Sequence, residues 1–166
     1  GDIELDNKVC DCCSTSAAYT KNGIIVVYRD RSAEEIRDIS VVRQIGQDWT
    51  RPRNLHADNW EIAGCPVNGP KVIADGENKV AVAWYTMANK QAQVKVALST
   101  DAGANFSDPI QIDDGNPLGR VDLIFDNNGV IVSWLESTEA ENAAIRLAKI
   151  QPDGQIVQKM TITKTS

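Results

Sequence analysis

The chain has 166 residues, with 17 Lys and Arg against 23 Asp and Glu, a net charge of -6 and a pI near 4.8. That acidic balance repels nucleic-acid backbones and anionic membrane surfaces at long range and argues against both as partners. The length suits one domain with a sizeable core, no apolar run approaches the roughly 20 residues of a membrane-spanning helix, and no basic-then-apolar leader precedes Asp2, so any export signal is expected to have been removed.

Residues 1–15 show no sustained period and read as an irregular lead-in ending in Cys10, Cys12 and Cys13. Ala17 to Thr20 and Ile24 to Tyr28 flank Lys21-Asn22-Gly23, and the Asn-Gly pair between them is a strong hairpin signal. A third strand is expected from Ile36 to Gln44, a turn over Gly46 to Pro52, and a short outer strand from Arg53 to His56. The stretch Ala57 to Pro70 is a crossing, whose Trp60 is either a buried wedge or a sugar-stacking platform, burial being the usual fate of a lone tryptophan. The scheme then repeats as Lys71 to Ala74, Val80 to Trp84, Gln93 to Thr100 and Ile110 to Ile112, and again as Val121 to Phe125, Val130 to Trp134, Ala144 to Ile150 and Ile156 to Thr163. Tyr28, Trp84 and Trp134 thereby close equivalent second strands. The alanine and glutamate of Glu139 to Lys149 also suit a helix, but the repeat places a loop and then a strand there.

Ser99-Thr100-Asp101-Ala102-Gly103-Ala104-Asn105-Phe106-Ser107-Asp108-Pro109 has a role for each turn residue. Asp101 can accept N–H bonds from its own loop, Gly103 permits positive φ, and Phe106 can fold back as an apolar plug. Gly46, Trp49, Thr50 and Pro52 repeat the spacing of Gly103, Phe106, Ser107 and Pro109, with Val42 and Gln44 where the later copy has Ser99 and Asp101. Repeats of about 40–50 residues with four short strands each are the sequence signature of propeller blades.

The order Ser-x-Asp-x-Gly-x-x-aromatic, carried by Ser99, Asp101, Gly103 and Phe106, resembles the Asp-box, or bacterial neuraminidase repeat, of sialidase-like β-propellers. The resemblance implies an all-β fold of three four-stranded antiparallel blades, half of a six-bladed propeller, as a single domain: a lead-in over 1–15, then blades at about 16–57, 70–114 and 120–164. Three blades leave open flanks, so the chain is expected to be part of a longer propeller or to close by self-association, two copies making six blades. In this family the Asp-box is a fold marker remote from the active site. Family enzymes are glycoside hydrolases that hold a carboxylate sugar with an arginine triad and use a Tyr–Glu pair with an Asp acid/base. The family's Arg-Ile-Pro motif is missing here and no Tyr–Glu pair is identified, so the resemblance implies glycan-related binding or processing without complete catalytic machinery.

Candidate ligand-binding residues are Arg29, Asp30 and Arg37, where a second strand leaves its blade, joined by Arg120 and Asp122 from the third blade. Arginine suits anion or sugar-acid recognition through its bidentate fork. The competing reading is alternating-sign ion pairs on a solvated loop, each contributing about 0–1 kcal/mol. Cys10, Cys12, Cys13 and Cys65 allow three readings: a disulfide tying the lead-in to Gly64-Cys65-Pro66 in an exported protein, a soft copper or zinc site completed by His56, or free thiols. The second reading makes the chain a non-catalytic metal-binding or scaffold module. Asn105-Phe106-Ser107 fits a glycosylation sequon but is read as turn chemistry.

Overall fold

The computed structural model describes residues 1–138 and 142–164. Three antiparallel sheets follow one another along the chain, each built from strands consecutive in sequence. The first contains β1 (Ser16–Thr20), β2 (Gly23–Arg29), β3 (Ile39–Ile45), β4 (Asp48–Trp49) and β5 (Arg53–Asn54). The middle sheet contains β6 (Lys71–Ala74), β7 (Val80–Thr86), β8 (Gln93–Ser99) and β9 (Ile110–Gln111), with a single 3-10 turn at Ala88–Lys90. The third contains β10 (Pro117–Asp126), β11 (Gly129–Ser137), β12 (Ala143–Ile150) and β13 (Ile156–Lys164).

Several details differ from the sequence expectation, among them β10, which begins at Pro117 and not Val121, and β11, which runs to Ser137 and not Trp134. The fourth position of the first sheet is divided, because β3 pairs β4 at Ile45↔Asp48 and β5 at Val41↔Arg53. The third strand begins at Ile39, not Ile36. Ile36 instead bridges Glu61, with Arg37 N–H donating to the Trp60 carbonyl and Ile62 N–H to that of Glu35, so the 35–37 loop pairs with the crossing. The helix alternative fails where the structure describes it, since Ala143–Ile150 is a strand in register with β11; Glu139, Ala140 and Glu141 lie outside the described residues.

The middle sheet lies between the other two, and β7 is buried along its whole length. Strand alternation explains how one strand serves two cores. Val80, Val82 and Trp84 join Ile25, Val27, Ile39 and Val41 of the first sheet, while Ala81, Ala83 and Tyr85 join Val121, Leu123, Val132 and Trp134 of the third. β6 packs against both β1 and β10, so the first strands of all three sheets run side by side. The equivalent aromatics share a further feature: each is buried and donates to a carboxylate. Tyr28 Oη donates to Asp6 at 2.5 Å, Trp84 Nε1 to Asp58 at 2.7 Å and Trp134 Nε1 to Glu136 at 2.5 Å. The large aromatic fills the end of each second strand, and the carboxylate satisfies the polar atom that burial would otherwise leave unpaired.

At the turn end, Ser99 Oγ donates to Asp101 at 2.8 Å and accepts the Gly103 N–H at 3.0 Å, while Asp101 accepts from both the backbone and the amide of Asn105. Burial opposes ionisation of Asp101, but the two Asn105 donors and the Ser99 hydroxyl outweigh it and hold the carboxyl at about 2. Gly103 has φ +79, and a Cβ there would stand 2.5 Å from Ile25 Cδ1. Phe106 packs on the core between the first and middle sheets. Arg43 and Arg53 donate to the carbonyls of Ala102, Gly103 and Ala104, tying the turn to the first sheet.

Candidate functional site

The opposite end, where β2, β7 and β11 leave their sheets, gathers the lead-in, the 30–38 loop and the crossing around Arg29. This guanidinium is 1% exposed. Nε donates to the Asn68 carbonyl at 2.9 Å, Nη1 to that of Arg37 at 2.6 Å and Nη2 to that of Tyr85 at 2.5 Å. Its Cζ lies 4.9 Å from the Trp60 ring centroid, and Trp60 meets Tyr85 edge-on at 5.6 Å. Trp60 is therefore a buried wedge and not a platform. Three diverging carbonyls occupy a planar fork that no other side chain supplies, which is why an arginine stands here.

Arg37 continues the cluster. Nη2 donates to Glu35 at 2.8 Å, Nη1 to the Cys10 sulfur at 3.3 Å, and its buried Nε has no partner among the described residues. Arg31 grips the same Glu35 through Nε and Nη2, and hydrogen bonds from Arg31 and then Arg37 hold that carboxyl at about 2. Asp30 accepts from Ser40 Oγ at 3.0 Å and from the Arg31 N–H at 2.6 Å. Asp38 accepts the N–H groups of Asn59 and Trp60 at 2.8 and 3.0 Å, and burial pushes its carboxyl above the usual range despite them.

Arg120 reaches this cluster through Asn68. Asn68 Oδ1 accepts the Arg120 N–H at 3.0 Å, Nδ2 donates to the Leu118 carbonyl at 3.2 Å, and Arg120 Nη1 donates to the Val67 carbonyl. Arg120 is exposed and has φ +57, at an irregularity in the β10 register. A left-handed arginine beside a bulge is a strained position of the kind found at binding sites. Asp122 is placed elsewhere: it pairs with Ser133 on the face of the third sheet turned away from the middle sheet, next to Ile124, Ile131, Leu147 and Met160.

Cys12 and Cys65 form a disulfide, while Cys10 and Cys13 are free thiols with sulfurs 2.9 Å apart. Burial, then the hydrogen bond with Cys10, pushes the Cys13 thiol up. Cys10, Cys12 and Cys13 form the metal-competent group among the described residues, and His56 stands outside it, 3.9 Å from Asp58. With Cys12 bonded to Cys65, two thiols remain, short of the four ligands of a structural zinc site. Two residues of this end escape the sequence reading: Asn68, which links Arg29 to Arg120, and Asp58, whose buried carboxylate pairs Lys95 at 2.5 Å. The Gly and Pro around Asn68 mark a constrained backbone, which is the one hint available there.

Beside Trp60, a pocket of about 380 Å³ is lined by Asn59, Trp60, Glu61, Met87, Asn89 and Lys90. It opens on the same end and mixes amide, charged and apolar groups.

No family model matches the chain, and no curated protein matches it in sequence. Among solved structures, the chain is similar to the Hadza microbial sialidase Hz136, with a TM-score of 0.59 and 19% identity, covering 92% of this chain and 37% of that one. The chain thus spans little more than a third of that sialidase. The likeness gives the fold, an all-β, sialidase-like arrangement of antiparallel sheets. Among the described residues, no helix is long and apolar enough to cross a membrane.

Proposed function

We propose that this chain is a three-bladed half of a sialidase-like propeller that binds a carbohydrate at the end gathered around Arg29, without a complete hydrolase machinery. The observation that carries the reading is the fold likeness over 92% of the chain. The side-by-side packing of the three first strands is what a propeller axis requires, and the 99–109 turn serves as an Asp-box on the outer rim. In this reading Arg29, Asp30 and Arg37 build the floor, their polar groups being occupied by the protein itself. The exposed Arg120 and the Asn59, Asn89 and Lys90 pocket supply the ligand contacts. The Cys12–Cys65 disulfide fits an exported protein in an oxidising compartment.

Closure is part of the same reading. Ile124, Ile145, Met160 and Ile162 are exposed on the third sheet, Ile124 by 59%, and Ile124, Ile131, Leu147 and Met160 share its outer face. A second copy of the chain covers that face in a twofold pair, with Asp122 then at the seam instead of in the site.

Glycan-array binding with purified wild type and Arg120→Ala tests the ligand reading. Wild type binds a defined oligosaccharide class, Arg120→Ala loses binding with an unchanged melting temperature, and neither turns over a fluorogenic sialoside. Absence of wild-type binding across the array overturns the carbohydrate assignment. Light scattering that gives a stable monomer at micromolar concentration overturns the closure. The alternative, a soft-metal module, requires the Cys12–Cys65 bond to open so that Cys12 can join Cys10 and Cys13; stoichiometric copper or zinc in anaerobically purified protein favours it.

A further inference from the structure

We infer that Cys10, Cys12, Cys13 and Cys65 form a thiol–disulfide exchange site in which one disulfide moves between Cys12–Cys65 and Cys10–Cys13. The four sulfurs make a continuous chain. Cys13 lies 2.9 Å from Cys10, Cys10 lies 3.5 Å from Cys12, and Cys12 is bonded to Cys65. The middle sulfur, Cys10, belongs to a residue only 5% exposed, whereas Cys13 is half-buried and Cys65 is exposed, so the chain runs from one accessible end to another through a sheltered centre. Arg37 Nη1 donates to the Cys10 sulfur, placing a fixed cation beside the atom that attacks. The Cys10 backbone is held by its N–H bond to the Arg29 carbonyl at 3.0 Å. This site is independent of the carbohydrate reading.

Exchange needs a thiolate within reach of a disulfide sulfur. Cys10, having given up its proton to solvent, attacks Cys12 Sγ; the Cys10–Cys12 bond forms, the Cys12–Cys65 bond breaks, and the electron pair leaves on Cys65, which takes a proton from solvent. Cys13 then gives up its proton and attacks Cys10 Sγ, forming Cys10–Cys13 and releasing Cys12, which is protonated in turn. One disulfide and two thiols stand on each side, so no outside oxidant or reductant is consumed. The product frees the exposed Cys65 thiol for exchange with an external thiol or disulfide and detaches the lead-in from the crossing.

Peptide mapping decides the matter. Protein purified without reductant is incubated in its native state at neutral pH, quenched in acid at intervals, then denatured and alkylated. The expected result is a constant total of two labelled thiols per chain, with label found at Cys12 and Cys65 as well as at Cys10 and Cys13. In Cys10→Ser the label on Cys65 stays at the zero-time level. In Cys13→Ser the first step alone occurs, so label appears at Cys65 and not at Cys12. Label confined to Cys10 and Cys13 throughout the wild-type course overturns the inference. So does a wild-type protein with no labelled cysteine, whether through two permanent disulfides or a bound metal. The wild-type course stands alone if either variant fails to fold.

Discussion

At the turn end, Ser99, Asp101, Gly103 and Asn105 bond one another across at most four residues. At the other end, Arg29 reaches Tyr85 across 56 residues, Cys12 reaches Cys65 across 53, and Asn68 reaches Arg120 across 52. The first set forms as soon as its own segment folds. The second exists only once segments far apart in the chain have come together, Arg29 with the middle sheet and Asn68 with the third, so it reports and reinforces their assembly, and damage there is felt beyond its own segment. Damage at the turn is confined to the contacts the turn makes with the first sheet.

The largest test of this contrast is Arg29→Met. It leaves two buried carbonyls and one part-buried carbonyl without their donor, and the expected loss of stability in urea unfolding is about 3–5 kcal/mol, the scale of breaking a buried charged network. Arg29→Lys is expected to recover little, because one ammonium cannot reach carbonyls at Asn68, Arg37 and Tyr85 together. Next comes Cys65→Ser, which removes the long-range staple and is expected to lower the unfolding free energy by about 2–4 kcal/mol.

At the turn end the effects shrink and become graded. Gly103→Ala places a side chain at φ +79 and against Ile25, whereas Gly46→Ala, in the matching turn at φ +64, meets open space. Thermal unfolding is expected to show a loss of about 2 kcal/mol for the first and about 1 kcal/mol for the second. Equal losses would mean that the two turns, despite their shared spacing, are not packed differently. Smallest is the acid response. Asp101 and Glu35 each have a folded-state carboxyl held at about 2, below the ordinary range near 4. Their contribution is complete above that ordinary range and disappears as pH falls toward 2. Unfolding midpoints measured down to pH 2 should therefore decline in that window, and Asp101→Asn should remove part of the slope.

The same contrast explains what could be read from the sequence. Strands such as Lys71–Ala74, the hairpin at Asn22-Gly23 and the 99–109 turn are dictated by residues within a few positions, and the continuous apolar run of Val80 to Trp84 reads as a buried strand. The candidate site was legible as a list but not as an arrangement. Arg29 and Arg37 stand out as charges, yet nothing local tells that Arg29 is spent on backbone carbonyls of three separate segments. Asp122 is grouped with Arg120 in the sequence because both stand at the start of the third blade, but it pairs with Ser133, on the outer face of the third sheet. Asp58 and Asn68 were illegible for the same reason: their partners Trp84, Lys95, Arg29 and Arg120 come from other strands.

The doubly covered β7 has a kinetic consequence. Its two faces belong to two separate apolar interfaces, one with each outer sheet. Either outer sheet can peel away and still leave β7 protected on its other side, so the molecule has two partial openings that need not coincide. Backbone amides of β7 and β8 are then the last to exchange with deuterated solvent, while those of β1 and β13 exchange through these smaller openings, at rates that need not match each other.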